Sequence, residues 1–210
     1  MKIVKRILLI LTIIAIIAGI VMIKLNGFNY SLLYSKSQRM NILLEKEFEI
    51  NDIDEIAKEV LGDNIKVQYA TYFDTVVSIT ASEISEEKQD EIINKIKEKY
   101  EIEEIDKESD VVIMNIPQIS FYSIIESFII PTIITTIVSI AYLSIRFRKL
   151  GIIKTLVIPL VSIILVLGLY VSIYALARIP INDLFVILGI LCYLITLIIN
   201  TMKLNKEEKV

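Results

Sequence analysis

The 210-residue sequence contains no histidine, no tryptophan and a single cysteine. Without imidazole, His-ligated metal sites, histidine general bases and Ser-His-Asp triads are excluded within these residues. The lone thiol, Cys192, leaves no partner for an intrachain disulfide, so a folded region here has no covalent staple. Glycine numbers six and proline four, and no glycine-rich phosphate loop is present. Acidic residues are nearly missing outside the segment from Glu45 to Asp110, and charge of either sign is missing from four long stretches.

What is present is apolar. Hydrophobic residues make up 55% of the chain, against roughly 45–50% in ordinary soluble domains, and mean hydropathy is +0.66. The excess lies in discrete runs, the pattern of membrane spans and not of one large core. The net charge of -3 conceals an acidic middle and basic flanks around the runs. Richness in Ile, Lys, Glu and Asn matches the wording of an AT-rich bacterial genome.

The first run, residues 7–23, follows Lys2, Lys5 and Arg6 and is just long enough to cross a hydrocarbon core at about 1.5 Å per residue. Val21, Met22, Ile23 and Lys24 follow its last small residues, so it reads as an uncleaved anchor and not a signal peptide. Three further spans are expected at 123–145, 152–177 and 184–202. The loop 146–151 carries Arg146, Arg148 and Lys149, Lys154 lies just beyond it, and the tail 203–210 carries Lys203, Lys206 and Lys209, whereas the loop 178–183 has only Arg178. The positive-inside rule then places both termini (1–6 and 203–210) and the 146–151 loop in the cytoplasm and residues 24–122 outside. An even number of spans requires the same arrangement.

Within 24–122 the pattern is that of a small folded domain. Met40–Leu44 reads as a strand, Asp52 as the N-cap of a helix with Glu55 completing a capping box, and Gly62 as its stop. Ile65–Tyr69 and Thr75–Thr80 read as strands joined by a hairpin at Thr71–Asp74, Ser85 as the cap of a second helix running to Tyr100, and Val111–Met114 as a last strand. The order is β-α-β-β-α-β, so the expected fold is an α+β ferredoxin-like extracytoplasmic domain attached to four transmembrane helices.

Seven residues stand out as helix-packing or partner-contact positions: Glu126, Pro131, Pro159, Asn182, Asp183, Tyr193 and Thr196. Glu126 lies about one turn inside the outer end of span two, where its carboxylate reaches the interface; no ionisable residue falls at mid-bilayer depth, where a proton or substrate pathway needs one. Arg178 and Asp183 flank a short outer loop and mark a membrane boundary. Pro131 and Pro159 free carbonyls inside spans two and three. Polar side chains including Thr132, Thr135, Thr136, Ser139, Thr196 and Asn200 suit bonds between helices. The acidic residues from Glu86 to Glu104 match no calcium loop and read as a solvated face, and Ser85-Glu86-Glu87-Lys88 reads as a helix cap and not as a Ser/Lys catalytic pair. No catalytic residue, metal or cofactor is expected, and the basic residues lie too close to the bilayer for nucleic acid.

Local wording resembles a known family. Asn26-Gly27-Phe28-Asn29-Tyr30 resembles a G-L-N-x-G entry after the first span, Glu83–Asp90 an L-S-E-E-E-Q stretch, Ala141–Phe147 the Y-I-A-F-R-F end of a second span, and Ile179–Leu184 a short outer loop ending in D-L. With the order of one span, a βαββαβ domain and a cluster of spans, these resemble the SecD/SecF protein-export family, within the resistance-nodulation-division exporter class, over about residues 5–200. The departures bear on mechanism. The family's D-F-T-G-G motif falls near Leu33–Ser37 and a third-span Asp near Leu165-Val166, all without matching residues, and of the fourth-span G-Y-S-I-N-D-T signature only Tyr193 and Ile195 remain. The family's fifth and sixth spans have no counterpart in these residues.

The resemblance implies a reduced SecF-like membrane protein, not an enzyme, that assists protein export through the Sec translocase or a SecD-like partner without proton-coupling residues of its own. A membrane-anchored sensor or assembly factor, whose outer domain binds a protein or ligand, is the alternative, and a transporter subunit a third. Each allows homo- or hetero-oligomers in a bacterial cell membrane.

Overall fold

Strand-like alternation in the charged middle segment and unbroken apolar runs on either side of it produce two separate units. One spans Ser31–Ile119; the other comprises the chain up to Tyr30 together with the chain from Ser120. The computed structural model describes residues 2–44, 46–70 and 73–209.

In the first unit, β1 (Ser37–Leu43), α2 (Ile50–Leu61), β2 (Ile65–Ala70), β3 (Phe73–Ala81), α3 (Glu86–Tyr100) and β4 (Val111–Ile116) follow one another after the first long helix, α1 (Lys2–Asn26). The four strands form one antiparallel sheet in the order β2-β3-β1-β4. Period-two alternation turns Met40 and Ile42 of β1 and Val77 and Ile79 of β3 to one face. Ile53, Ile56 and Ala57 of α2 and Ile92, Ile93 and Ile96 of α3, at helical spacing, join them in one buried core. The hairpin connection expected at Thr71–Asp74 lies partly outside the described residues, at Thr71 and Tyr72.

The helix ends differ in part from the capping pattern. α2 begins at Ile50 behind Glu49, not behind Asp52. Asp52 instead sits in the first turn, where its carboxylate faces Lys99 Nζ at 2.9 Å and accepts from the Tyr100 hydroxyl at 3.1 Å. The expected capping box is therefore replaced by a tie between the two helices. Gly62 does end α2, with φ 87°, a conformation that a side chain would strain. Ser85 occupies the N-cap of α3 without a hydroxyl hydrogen bond to the helix. At the other end of α3, Lys46 Nζ donates to the carbonyls of Tyr100 and Glu101 at 2.9 and 2.7 Å, placing a cation on the negative pole of the helix.

The second unit holds four helices long and apolar enough to cross a membrane: the Arg6–Asn26 part of α1, α4 (Phe121–Arg146), the segment Ile153–Leu176 and α6 (Asp183–Glu208). At about 1.5 Å per residue, even the 21 residues of the first exceed a hydrocarbon core of roughly 30 Å. The third opens with a wide π turn at Ile153–Val157 before α5 (Ile158–Leu176).

α1 and α5 run in the same direction. Gly19 meets Ser172 so closely that an added Cβ would stand 2.4 Å from the Ser172 Cβ, and one turn earlier Ile16 lies against Gly168. Small residues on facing stripes let two backbones approach, the usual route to helix pairing where no hydrophobic force acts between apolar helices. α5 and α6 form a hairpin, and α6 buries Phe185, Tyr193, Thr196, Asn200 and Leu204 along one stripe. α4 buries only Leu143.

The helix ends sort into two sets. Arg146 pairs with Glu208 and Lys154 with Glu207 at 3.1 and 2.8 Å, joining the 146–154 connection to the end of α6. At the opposite end, Arg178 donates to the Gly27 carbonyl at 2.9 Å, Asn29 Nδ2 donates to the Arg178 carbonyl at 2.6 Å, and Ile181 N–H donates to the Asn29 carbonyl at 2.8 Å. The start of α1, the 146–154 connection and the end of α6 thus share one end of the bundle.

Candidate functional site

The buried stripe of α6 is where polar chemistry enters the helical unit. Tyr193 is buried, and its hydroxyl lies 3.0 Å from the Thr136 hydroxyl of α4, which also donates to the Thr132 carbonyl at 2.7 Å. One turn on, buried Thr196 donates to the Cys192 carbonyl at 2.7 Å. A further turn brings Asn200, only 3% exposed, whose Nδ2 has no acceptor. A buried amide N–H without a partner is costly, by about 1–3 kcal/mol.

Thr196 and Asn200 line a lateral cavity of about 360 Å³ between α1, α5 and α6, walled by Leu9, Leu165, Val166 and Ile199. Its hydroxyls from Thr12 and Ser162 both donate back to carbonyls four residues earlier, at 2.9 and 2.8 Å, which leaves their oxygens as acceptors. Lys203 stands at the end of this cavity and, with Asn200, also lines a smaller one of about 50 Å³ bounded by Lys154, Pro159 and Glu207. A third cavity, about 210 Å³ and almost wholly apolar, lies between α4, α5 and α6 under Phe121, Tyr170 and Phe185.

The seven residues singled out in the sequence do not form one site. Tyr193 and Thr196 lie on the α6 stripe, facing the helical unit's own interior. Pro159 is buried inside the helical segment Ile153–Leu176, directly after its π turn, where the wider register accommodates the missing N–H within the span. Pro131 is exposed on α4, which continues through it, and its carbonyl accepts from Thr135 Oγ1 at 2.7 Å. Glu126 is exposed in the second turn of α4 and makes no hydrogen bond or ion pair among the described residues. Asn182 is the N-cap of α6, its Oδ1 accepting from Leu184 N–H at 3.1 Å, and Asp183 begins that helix next to the positive pole. Nothing in the sequence singles out Gly19, Ser172 or Lys203. Spacing on one helix carries no sign of which helix lies opposite, and that is what gives these three their roles.

In the strand unit, the sheet face away from the helices carries a short polar row: Ser78 donates to Asn41 Oδ1 at 2.6 Å, and Arg39 Nε donates to Thr80 Oγ1 at 3.4 Å. Beside it runs the uncharged edge strand β4, which pairs only with β1 and exposes Val112, Ile113 and Met114 by about half. Among the described residues, no group of three or more Cys, Asp or Glu is placed to hold a metal ion.

No protein-family model matches the chain, and no curated protein matches it.

Proposed function

We propose that the chain is a multi-pass membrane protein of SecF-like layout whose βαββαβ unit lies outside the cytoplasm and whose role is contact with a partner in protein export. The observation that carries this reading is the succession of one long apolar helix, a four-stranded antiparallel unit ordered β2-β3-β1-β4 and three more such helices. That strand order with two helices on one face supports reading the unit as ferredoxin-like, which the layout of the SecD/SecF family calls for. The grouping of Arg146, Lys154 and the end of α6 at one end of the bundle supports a common cytoplasmic side for both termini.

Partner contact, and not proton transport, is favoured by the contents of the bundle. Its buried polar groups are hydroxyls, from Thr155, Ser172, Tyr174, Tyr193 and Thr196, and one carboxamide, from Asn200, with no carboxylate among the described residues buried there. The unpaired edge of β4 suits strand addition by a partner, since main-chain groups there are available and Val112 and Met114 add apolar contact.

Crosslinking in membranes from a photoreactive residue placed at Val112 or Met114, followed by mass spectrometry, tests the proposal. A translocase component or a SecD-like protein is the expected product. Recovery of only an envelope enzyme, kinase or unrelated transporter would support the sensor or assembly-factor reading instead.

A further inference from the structure

We infer that the lateral cavity between α1, α5 and α6 is a binding site for an anionic phospholipid, with its headgroup at Asn200 and Lys203 and an acyl chain along Leu9, Leu165, Val166 and Ile199. The inference rests on the reading that the four helices span a bilayer. Three features meet at this cavity.

The first is the unsatisfied Asn200 carboxamide. The packing of α6 leaves it only 3% exposed, yet its Nδ2 finds no protein acceptor, and the residue lines both the large and the small cavity. Nδ2 itself has almost no accessible surface in this conformation, so the carboxamide turns about its last side-chain bond to bring it to a headgroup oxygen in the small cavity. The second is charge. Lys154 is neutralised by Glu207 at 2.8 Å, whereas Lys203, three residues after Asn200 and therefore on the same face, makes no ion pair among the described residues. Arg6, exposed in the turn before Leu9, adds a second cation at the same end of the bundle. The cavity mouth thus carries net positive charge at the level where a cytoplasmic headgroup would lie.

The third is shape and lining. The cavity of about 360 Å³ falls at the small end of the roughly 300–1,000 Å³ typical of ligand pockets, and its walls are mostly aliphatic. Its lining runs along the helices from Lys203 past Ile199 to Thr196 and Leu169, so an acyl chain can extend along the bundle from a headgroup at Lys203. A small free anion would satisfy the lysine and leave the aliphatic wall empty; a neutral lipid would fill the wall and leave the lysine uncompensated. An anionic phospholipid satisfies both.

The test uses the full chain purified in mild detergent, with native mass spectrometry reading retained lipid after exchange into phosphatidylglycerol, phosphatidylcholine or inorganic phosphate. Wild type is expected to retain phosphatidylglycerol about fivefold over phosphatidylcholine, the order expected for one basic side chain near an anionic headgroup. Lys203→Gln and Asn200→Leu should each remove most of that preference. Val166→Trp, which fills the chamber without changing charge, should lower retention of both lipids, and Lys149→Gln, an exposed loop lysine, should leave the preference intact. A preference that survives Lys203→Gln and Asn200→Leu, that falls equally in Lys149→Gln, or that inorganic phosphate abolishes at equal concentration overturns the lipid site. Alkaline extraction separates this from the underlying reading: a chain washed off the membrane refutes the spans, and a chain retained but without lipid preference refutes only the site.

Discussion

The two units of this chain handle apolar surface in opposite ways. In the strand unit, Met40, Ile42, Ile53, Ile79, Ile92 and Ile96 are all fully buried, and charged side chains cover the helices outside them. In the helical unit, only 6% of the most apolar window of α1 and of α4 is buried, and residues such as Ile137 and Ile145 of α4 are more than half exposed. A unit that hides its isoleucines is built for water, where burying apolar area is the main stabilising term. A unit that displays them has helices long and apolar enough to cross a membrane, and in such a solvent close backbone packing and hydrogen bonds are what hold helices together.

This contrast orders the expected effects of substitution. The largest belong to the strand-unit core, where Ile79→Ala or Ile42→Ala removes a fully buried side chain and should cost about 2–5 kcal/mol. Amide hydrogen exchange of the full chain in micelles should show protection lost across β1, β3 and both short helices, while Ile137→Ala, 63% exposed on α4, leaves exchange in every element unchanged. An Ile137 effect as large as that of Ile79 would break the contrast.

Next comes the α1–α5 contact. Gly19→Leu places a side chain where even a Cβ would clash with Ser172 at 2.4 Å, an overpacking penalty of about 1–3 kcal/mol or more. A cysteine pair replacing Ile16 and Gly168, with Cys192 changed to Ser, should crosslink when Gly19 is kept and fail to crosslink when Gly19→Leu is added. Smaller still is the bond between α4 and α6. Tyr193→Phe removes a 3.0 Å contact to Thr136 and should cost about 0.6 kcal/mol, the average for such bonds between membrane helices. A double-mutant cycle with Thr136→Val checks it, and coupling near zero would leave α4 held by its two ends, Phe121 against Phe28 and Phe185 and Arg146 on Glu208.

The smallest effect is the one on the water-facing surface. The hydrogen bond from Lys99, followed by that from Tyr100, holds the Asp52 carboxyl below its usual range, and the Asp52 carboxylate raises Lys99 in turn. A depressed carboxyl stabilises the fold fully above its unfolded pKa, near 3.8, and that contribution is lost as pH falls through the lower folded value. The raised ammonium stabilises below about 10.5 and its contribution is lost as pH rises through the higher folded value. Asp52→Asn should therefore lower the unfolding midpoint of the strand unit slightly at pH 7, with the difference from wild type vanishing in strong acid and shrinking in strong base. Both groups are exposed, so the change is modest.

How far the sequence carries depends on whether a feature is local. Apolar runs, the six short elements of the middle segment and the positions of Gly62 and Ser85 all follow from residues near one another in the chain, and all are visible there. Boundaries that depend on distant partners are not. Asp52 has the spelling of an N-cap, but Lys99 on another helix claims its carboxylate. Pro159 reads as a proline inside a span, but the π turn that precedes and accommodates it is not spelled out in the residues around it. Tyr193 and Thr196 stand out by wording, whereas Asn200 is one polar side chain among many until its neighbours leave its Nδ2 without an acceptor. Gly19 is one small residue in an apolar run until Ser172 lies against it.

On this account the apolar helices cross a membrane and leave the strand unit and the basic helix ends on opposite sides. Single cysteines at Glu98 in α3 and at Lys149 in the 146–154 connection, each in a Cys192→Ser background, test it with a membrane-impermeant maleimide on intact cells and after permeabilisation. The account predicts labelling at position 98 in intact cells and at position 149 only after permeabilisation. Labelling of both positions to the same extent in intact cells, or of both only after permeabilisation, would contradict it.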